Sequence, residues 1–354
     1  MKTAARNAAK KCDMRLVAIG GGTGLSTLLK GLRDHVCSPV ERASRTAIRE
    51  LTAVVTVTDD GGSSGRLRKE FNILPPGDIR NCIVALSEDQ ALLSQLFQYR
   101  FHGGSPGSAL DGHSFGNLFL TALAAVTGDF AEAVKLSSEI LTTRGHIFPA
   151  TTSNVELEAV MEDGSRVRGE TSITRSQKRI VRLELVPPNA KPMPQTLEAI
   201  ANADIISIGP GSLFTSLIPN VLVRGIPEAI RDSKAVKVFV CNLMTQTNES
   251  LGLTAADHVR AIYDHAGCKI FDYALVNKKS ATHDLKAKYA LEGASQIRVD
   301  VDKLQKLGVE PIFGEYLFEE NGVARHAYHK IASDMLQLTS RKRARATAGR
   351  KTRA

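Results

Sequence analysis

The chain reads as a doubly wound α/β protein with a mainly parallel sheet and a small antiparallel β insertion. Short β-branched runs alternate with longer helical patterns over most of its 354 residues. That is the signature of an open sheet covered by helices on both sides, with right-handed crossovers. Leu51–Thr58 (LTAVVTVT) is apolar without alternation, as a strand buried on both faces requires. Two buried-strand patterns also run straight into glycine turns that feed helices.

In order along the chain, Leu16–Ile19 is the first strand and 25–32 the first helix. Leu51–Thr58 follows, then helices over 79–86, 115–126 and 130–141. Strands are expected at 204–208, 236–242 and 271–276, and a helix at 254–265 with Thr254 as its N-cap. Residues 155–185 instead alternate polar and apolar around Glu162-Asp163-Gly164 and end at Pro187-Pro188. This predicts an antiparallel meander, inserted at about 151–188 as a lid or an oligomer contact. The expected organisation is a basic unstructured N-terminus over 1–14, one domain over 15–336 and a basic unstructured tail over 340–354.

Composition narrows the class. With 43% hydrophobic and 23% charged residues, the chain can bury a large aliphatic core, which excludes wholesale disorder and collagen-like structure. Of the basic residues behind the net charge of +9, seven lie in 341–354 and four in 2–11, so the body is slightly acidic. Specific nucleic-acid binding would place basic residues on the folded body and is not expected. The longest apolar runs, such as 118–126, fall short of the roughly 20 residues of a membrane span. MKTAARNAAKK does not read as a secretory signal. Five scattered cysteines read as reduced thiols of a cytoplasmic protein.

Several stretches carry candidate chemistry. Gly20, Gly21, Gly22, Thr23 and Gly24 follow the first strand, where glycines let backbone amides approach an anion at a helix N-terminus. The stretch is neither G-x-G-x-x-G, since Leu25 occupies the last position, nor a P-loop. Gly209-Pro210-Gly211-Ser212 repeats the logic after the strand at 204–208, and two such ends on adjacent strands suit a diphosphate. Asp59-Asp60-Gly61-Gly62-Ser63-Ser64-Gly65 leaves the second strand. Its two carboxylates can hold a divalent cation beside a diphosphate or bind a ribose, and Arg66 stands just beyond. Asp78 is expected to cap the next helix, with Arg80 facing a phosphate. Asn117 falls on the first turn of a helix starting near Ser114 with its amide toward the crevice, and His113 is structural. Asn242 ends a further strand at the same rim, while Tyr289 and Arg325 are candidates to stack on a base and meet a phosphate. No arrangement of residues announces a catalytic base.

Together, GGGTGLSTLLKGL, TVTDDGGSSGRLR, PPGDIRNCIVAL, GHSFGNLFL and IGPGSLFTSLIPNVLV resemble the gluconeogenesis-factor family (YvcK-like proteins), which is itself similar to the phospholactate transferase CofD. The resemblance runs from about Leu16 to Leu336. It implies a Rossmann-like fold, cytoplasmic location and binding of a UDP-sugar such as UDP-N-acetylglucosamine. It further implies a regulatory role tying carbon metabolism to cell-wall synthesis and cell shape, through protein partners and an optional homo-oligomer. By matching motif, Gly20–Gly24, Asp59, Asp60, Asn117, Gly209, Gly211 and Ser212 become crevice residues, with Tyr289 and Arg325 as nucleotide contacts. No cofactor is required, although Mg²⁺ at Asp59 and Asp60 can accompany the diphosphate. The alternative is a CofD-like, metal-dependent transferase moving a phospho-acid group from a nucleoside diphosphate donor.

Overall fold

The computed structural model describes residues 13–37, 48–88, 91–102 and 108–351. The first half comprises β1 (Met14–Gly20), α1 (Gly22–Arg33), β2 (Ile48–Val55), α2 (Gly62–Phe71), α3 (Gly77–Leu86), α4 (Ala91–Gln98), α5 (Phe115–Thr127), α6 (Phe130–Ile140) and β3 (His146–Pro149). An insertion of β4 (Glu156–Met161), β5 (Arg166–Arg168), α7 (Glu170–Arg175) and β6 (Ile180–Val186) follows. The second half opens with α8 (Pro194–Asn202), β7 (Ile205–Ile208) and a π-turn, Leu213–Leu217, that runs into α9 (Ile218–Leu222). It continues through α10 (Ile226–Asp232), β8 (Val236–Val240), α11 (Ala255–Ala266), β9 (Tyr273–Asn277) and α12 (His283–Ala290). It closes with α13 (Val301–Lys306), β10 (Glu310–Gly314), the hairpin β11 (Leu317–Glu320) and β12 (Val323–His326), and α14 (Tyr328–Lys351).

Seven parallel strands form the main sheet in the order β10-β9-β8-β7-β1-β2-β3. Successive residues of its central strands feed two separate cores, as the two-residue period of a pleated strand dictates. Val17, Ile19 and Val54 face one side with Ile206 and Phe239. Leu16, Ala18, Ala53 and Val55 face the other with Val238. Against that second face α1 lays Leu25, Leu28, Leu29 and Leu32, at most 1% exposed, in the i, i+3, i+4, i+7 stripe of an amphipathic helix.

The expected α/β architecture is present, with local differences. The meander forms a sheet ordered β5-β4-β6, but α7 interrupts it between β5 and β6. Its Leu157, Met161, Ile173, Leu183 and Leu185 share a core cluster with β1 and β7, so the insertion is packed onto the main body. Thr254 caps α11 through a reciprocal capping box with Asp257. Asp78 does not cap α3, because Pro76 holds the cap position. The backbone of α14 stays helical to Lys351, into the stretch read from composition as an unstructured tail. Cys82, Cys241 and Cys268 are free, but Cys37 is disulfide-bonded, which corrects the expectation of five reduced thiols. Among the described residues no helix is long and apolar enough to cross a membrane.

Candidate ligand-binding site

Strand order creates the site. From β1 the chain moves outward through β2 to β3, then returns to place β7 on the other flank of β1. At such a reversal the loops leaving neighbouring strands diverge and open a crevice at their carboxyl ends. Here the two loops are Gly20–Gly24 after β1 and Gly209–Ser212 after β7. They abut closely: a Cβ on Gly24 would lie 2.3 Å from the Pro210 carbonyl oxygen and 2.9 Å from the Gly211 Cα. Gly22 adopts φ +60° to turn into α1, in the left-handed region that glycine tolerates best.

Beside these turns lies a cavity of about 480 Å³, lined by Gly21, Gly22, Thr23, Gly24, Gly211, Ser212, Asn242, Tyr289 and Arg325 among others. Residues named from sequence motifs over 300 positions apart thus share one wall. Gly20 ends β1 just behind it, and the Gly209 amide donates to the Ile19 carbonyl at 3.1 Å. A cavity of about 1010 Å³ beside α6 and β3 and another of about 530 Å³ along α11 are larger, but neither touches the glycine turns.

The two helix starts differ in what they offer an anion. No side chain caps α1 at Gly21, and the Gly22 amide donates to Asp78 Oδ2 at 2.7 Å. The first-turn amides of Thr23 and Gly24 have no acceptor available one turn back in the helix. After β7, Glu249 already occupies the helix start, with Thr215 donating its amide to Oε1 at 2.9 Å and the Ser212 hydroxyl also bonded to this carboxyl. Asn242 holds the turn in shape, accepting from the Gly211 amide at 3.2 Å and donating to the Gly211 carbonyl at 2.8 Å. Gln246 Nε2 donates to Ser212 Oγ at 3.0 Å.

Of the residues named from the sequence, Asp59, Asp60, Arg66, Asn117, Arg80 and His113 stand outside this cavity lining, as do Gly20 and Gly209. Asp59 Oδ1 accepts from the Gly61 amide at 2.9 Å, closing its own turn. Asp60 Oδ1 accepts from the Thr171 amide at 2.8 Å and its hydroxyl at 2.6 Å, anchoring α7. Arg66 reaches the Asp111 carbonyl. Asn117 is 2% exposed and donates to Ser63 Oγ at 3.1 Å, so its amide braces α2. Arg80 donates to Ser114 Oγ at 2.6 Å and Asn81 Oδ1 at 2.7 Å, and His113 Nδ1 lies 3.0 Å from Ser63 Oγ. Asp59 and Asp60 therefore each commit a carboxylate oxygen to a backbone amide. Among the described residues no group of three or more His, Cys, Asp or Glu is arranged to hold a metal ion.

Asp60 thus links the second glycine loop to the insertion. Asp60→Ala would leave the Thr171 amide without its acceptor. The expected cost is about 1–3 kcal/mol in urea unfolding, with faster amide exchange across α7. Unchanged stability and exchange would refute the anchoring role.

Sequence reasoning missed Glu170 and Thr174 on α7, Thr215, Ser216 and Gln246, and His326 on β12, all lining the cavity. Glu170 carried no signal, because it lies in a stretch read as part of a meander. Its pKa is the most altered at the site: burial first, then repulsion from Asp59, Asp78, Asp60 and Glu249, pushes it up to about 9. At neutral pH it is a protonated acid. Burial also pushes Asp78 up to about 6 against the Gly22 hydrogen bond, and raises Glu249. His326 is pushed down to about 4 by burial, with Nε2 3.1 Å from the Cys241 carbonyl. Arg325 is exposed and is the only Lys or Arg lining the cavity among the described residues. Tyr289 on α12 accepts the Ala324 amide through its hydroxyl at 3.3 Å, tying it to the Arg325 hairpin. The arrangement is a polar cleft with muted negative charge and one cationic side chain, suited to an anionic ligand that carries a ring.

The family model of 2-phospho-L-lactate transferase CofD matches residues 16–317. A gluconeogenesis factor of Halalkalibacterium halodurans is 48% identical over 322 residues, covering 91% of this chain and 95% of that protein. The gluconeogenesis factor of Bacillus subtilis is 46% identical over 324 residues, covering 92% and 98%. A crystal structure of a Bacillus halodurans protein superposes with a TM-score of 0.85 at 48% identity, covering 92% of this chain and 99% of that one.

Proposed function

The chain belongs to the CofD family, among its gluconeogenesis factors, and on that premise we propose that it is a regulatory protein that binds a UDP-sugar of the UDP-N-acetylglucosamine kind in the cleft between β1 and β7. The observation that carries this reading is the convergence of the uncapped α1 start, Tyr289 and Arg325 on one cavity of nucleotide-sugar scale. The Thr23 and Gly24 amides and Arg325 would meet the diphosphate, while Tyr289 would stack on the ring. Protonation of Glu170 removes a charge that would otherwise repel the phosphates. The site would report nucleotide-sugar level to protein partners in the cytoplasm, coupling carbon supply to wall synthesis and cell shape.

Thermal shift and titration calorimetry with UDP-N-acetylglucosamine, UDP-glucose, UDP, GDP and NAD test the proposal. A ligand at a hundred times its dissociation constant should stabilise the fold by about 2.7 kcal/mol. Arg325→Ala should weaken binding about tenfold or more, as loss of a charge-assisted hydrogen bond does. No response to any uridine nucleotide would overturn the reading. The description of the matching family model favours one competing reading, a transferase. Release of a nucleoside monophosphate when donor, acceptor and Mg²⁺ are mixed would establish that instead.

A further inference from the structure

His326 is held in a way that leaves half of its ring for a ligand. It ends β12, lines the cavity next to Arg325, and sits 3.1 Å through Nε2 from the carbonyl of Cys241, just past the end of β8. A carbonyl only accepts, so Nε2 carries the proton and Nδ1 presents a lone pair. The low basicity of the ring keeps it neutral near pH 7. Nδ1 has no hydrogen-bond partner among the described residues, and it is not one of the polar atoms sealed in the interior without a partner, as Gln246 Oε1 is. The same hairpin is tied to Tyr289 by the Ala324 amide. The imidazole therefore lines the cleft on the hairpin that carries Arg325 and is tied to Tyr289.

We infer that His326 is a specificity residue of this site, accepting through Nδ1 a hydrogen bond from a hydroxyl or imino donor on the nucleoside half of the bound nucleotide sugar. The inference rests on the nucleotide-sugar reading above and extends it. An acceptor at this point favours a nucleoside that offers a donor there and penalises one that offers a second acceptor, because two facing lone pairs leave both unsatisfied.

Two substitutions separate the two ring nitrogens. His326→Gln places an amide near Nε2 and can keep the bond to Cys241, but removes the acceptor at Nδ1. His326→Asn places its amide oxygen near Nδ1 and gives up the bond to Cys241. Titration of UDP-N-acetylglucosamine into each folded variant should show His326→Gln weakened about tenfold, with His326→Asn within about threefold of the unaltered protein. The reverse order would assign His326 a purely structural role and overturn the inference. A ligand-side arm needs no variant: 2′-deoxy, 3′-deoxy and N3-methyl UDP are titrated into the unaltered protein. One of them should lose about the same factor, and should lose nothing more on His326→Gln. If all three bind like UDP, the inference fails while the nucleotide-sugar reading stands. If the unaltered protein binds no uridine nucleotide at all, both fall together.

Discussion

Gly24→Ala is expected to cost about 3 kcal/mol of stability and to abolish binding in the cleft. The added methyl would sit 2.3 Å from the Pro210 oxygen and 2.7 Å from its carbonyl carbon. Both are backbone atoms, so no rotamer change relieves the overlap. Either α1 withdraws from the turn after β7, or that turn shifts and breaks the two hydrogen bonds by which Asn242 holds Gly211. Both responses pull apart the walls of the cavity. Gly128→Ala serves as a control, because Gly128 has φ +70° with nothing within 4 Å of the added atom, and should cost only about 1 kcal/mol of backbone strain. Urea unfolding and ligand titration on both variants check the claim. Equal losses at the two positions would show that the apposition of the turns is unimportant.

The second large effect belongs to Glu170 and depends on pH. Its pKa in the folded protein, about 9, lies far above the usual value of 4.5. Below pH 4.5 the group is protonated in both states and its full contribution to stability is present. As pH rises from 4.5 to 9, the unfolded chain releases this proton and the folded protein keeps it. Stability then falls by about 1.4 kcal/mol per pH unit, on the order of 3 kcal/mol by pH 7. Glu170→Gln keeps the neutral shape without titrating, so it should match the unaltered protein at pH 4.5 and gain steadily up to pH 9. Unfolding free energies measured across that range check the outcome. Parallel curves for the two proteins would mean that Glu170 is ionised at neutral pH. The same titration implies that affinity for an anionic ligand declines above about pH 9 in the unaltered protein and holds in Glu170→Gln.

These two residues also mark how far the sequence could be read. Gly24 was visible because a glycine run between a buried strand and a helix has few structural uses. Asp60 was visible as unusual, but its partner Thr171 lies 111 positions away in the insertion, so the hydrogen bond that anchors α7 could not be read from the loop. For Asn117 the place on the first turn of α5 was right, but that its amide nitrogen donates to Ser63 on α2 was not visible. Glu170 gave no signal, because its raised pKa comes first from burial and then from four carboxylates contributed by other elements.

The amino-acid sequence determined the central strands, several of the flanking helices, the glycine turns and the family, since periodicity and turn chemistry act over a few residues and the motifs were intact in order. Tertiary structure decided which of those turns meet. Leu16 pairs with Ile205 across β1 and β7, which brings the two glycine loops together, and the later α12 and β12 bring Tyr289 and Arg325 to the same cavity. It also decided which polar groups the fold consumes and which it leaves for a ligand, and which acids stay protonated. Burial and long-range neighbours set those properties, and neither is written in any local stretch of the chain.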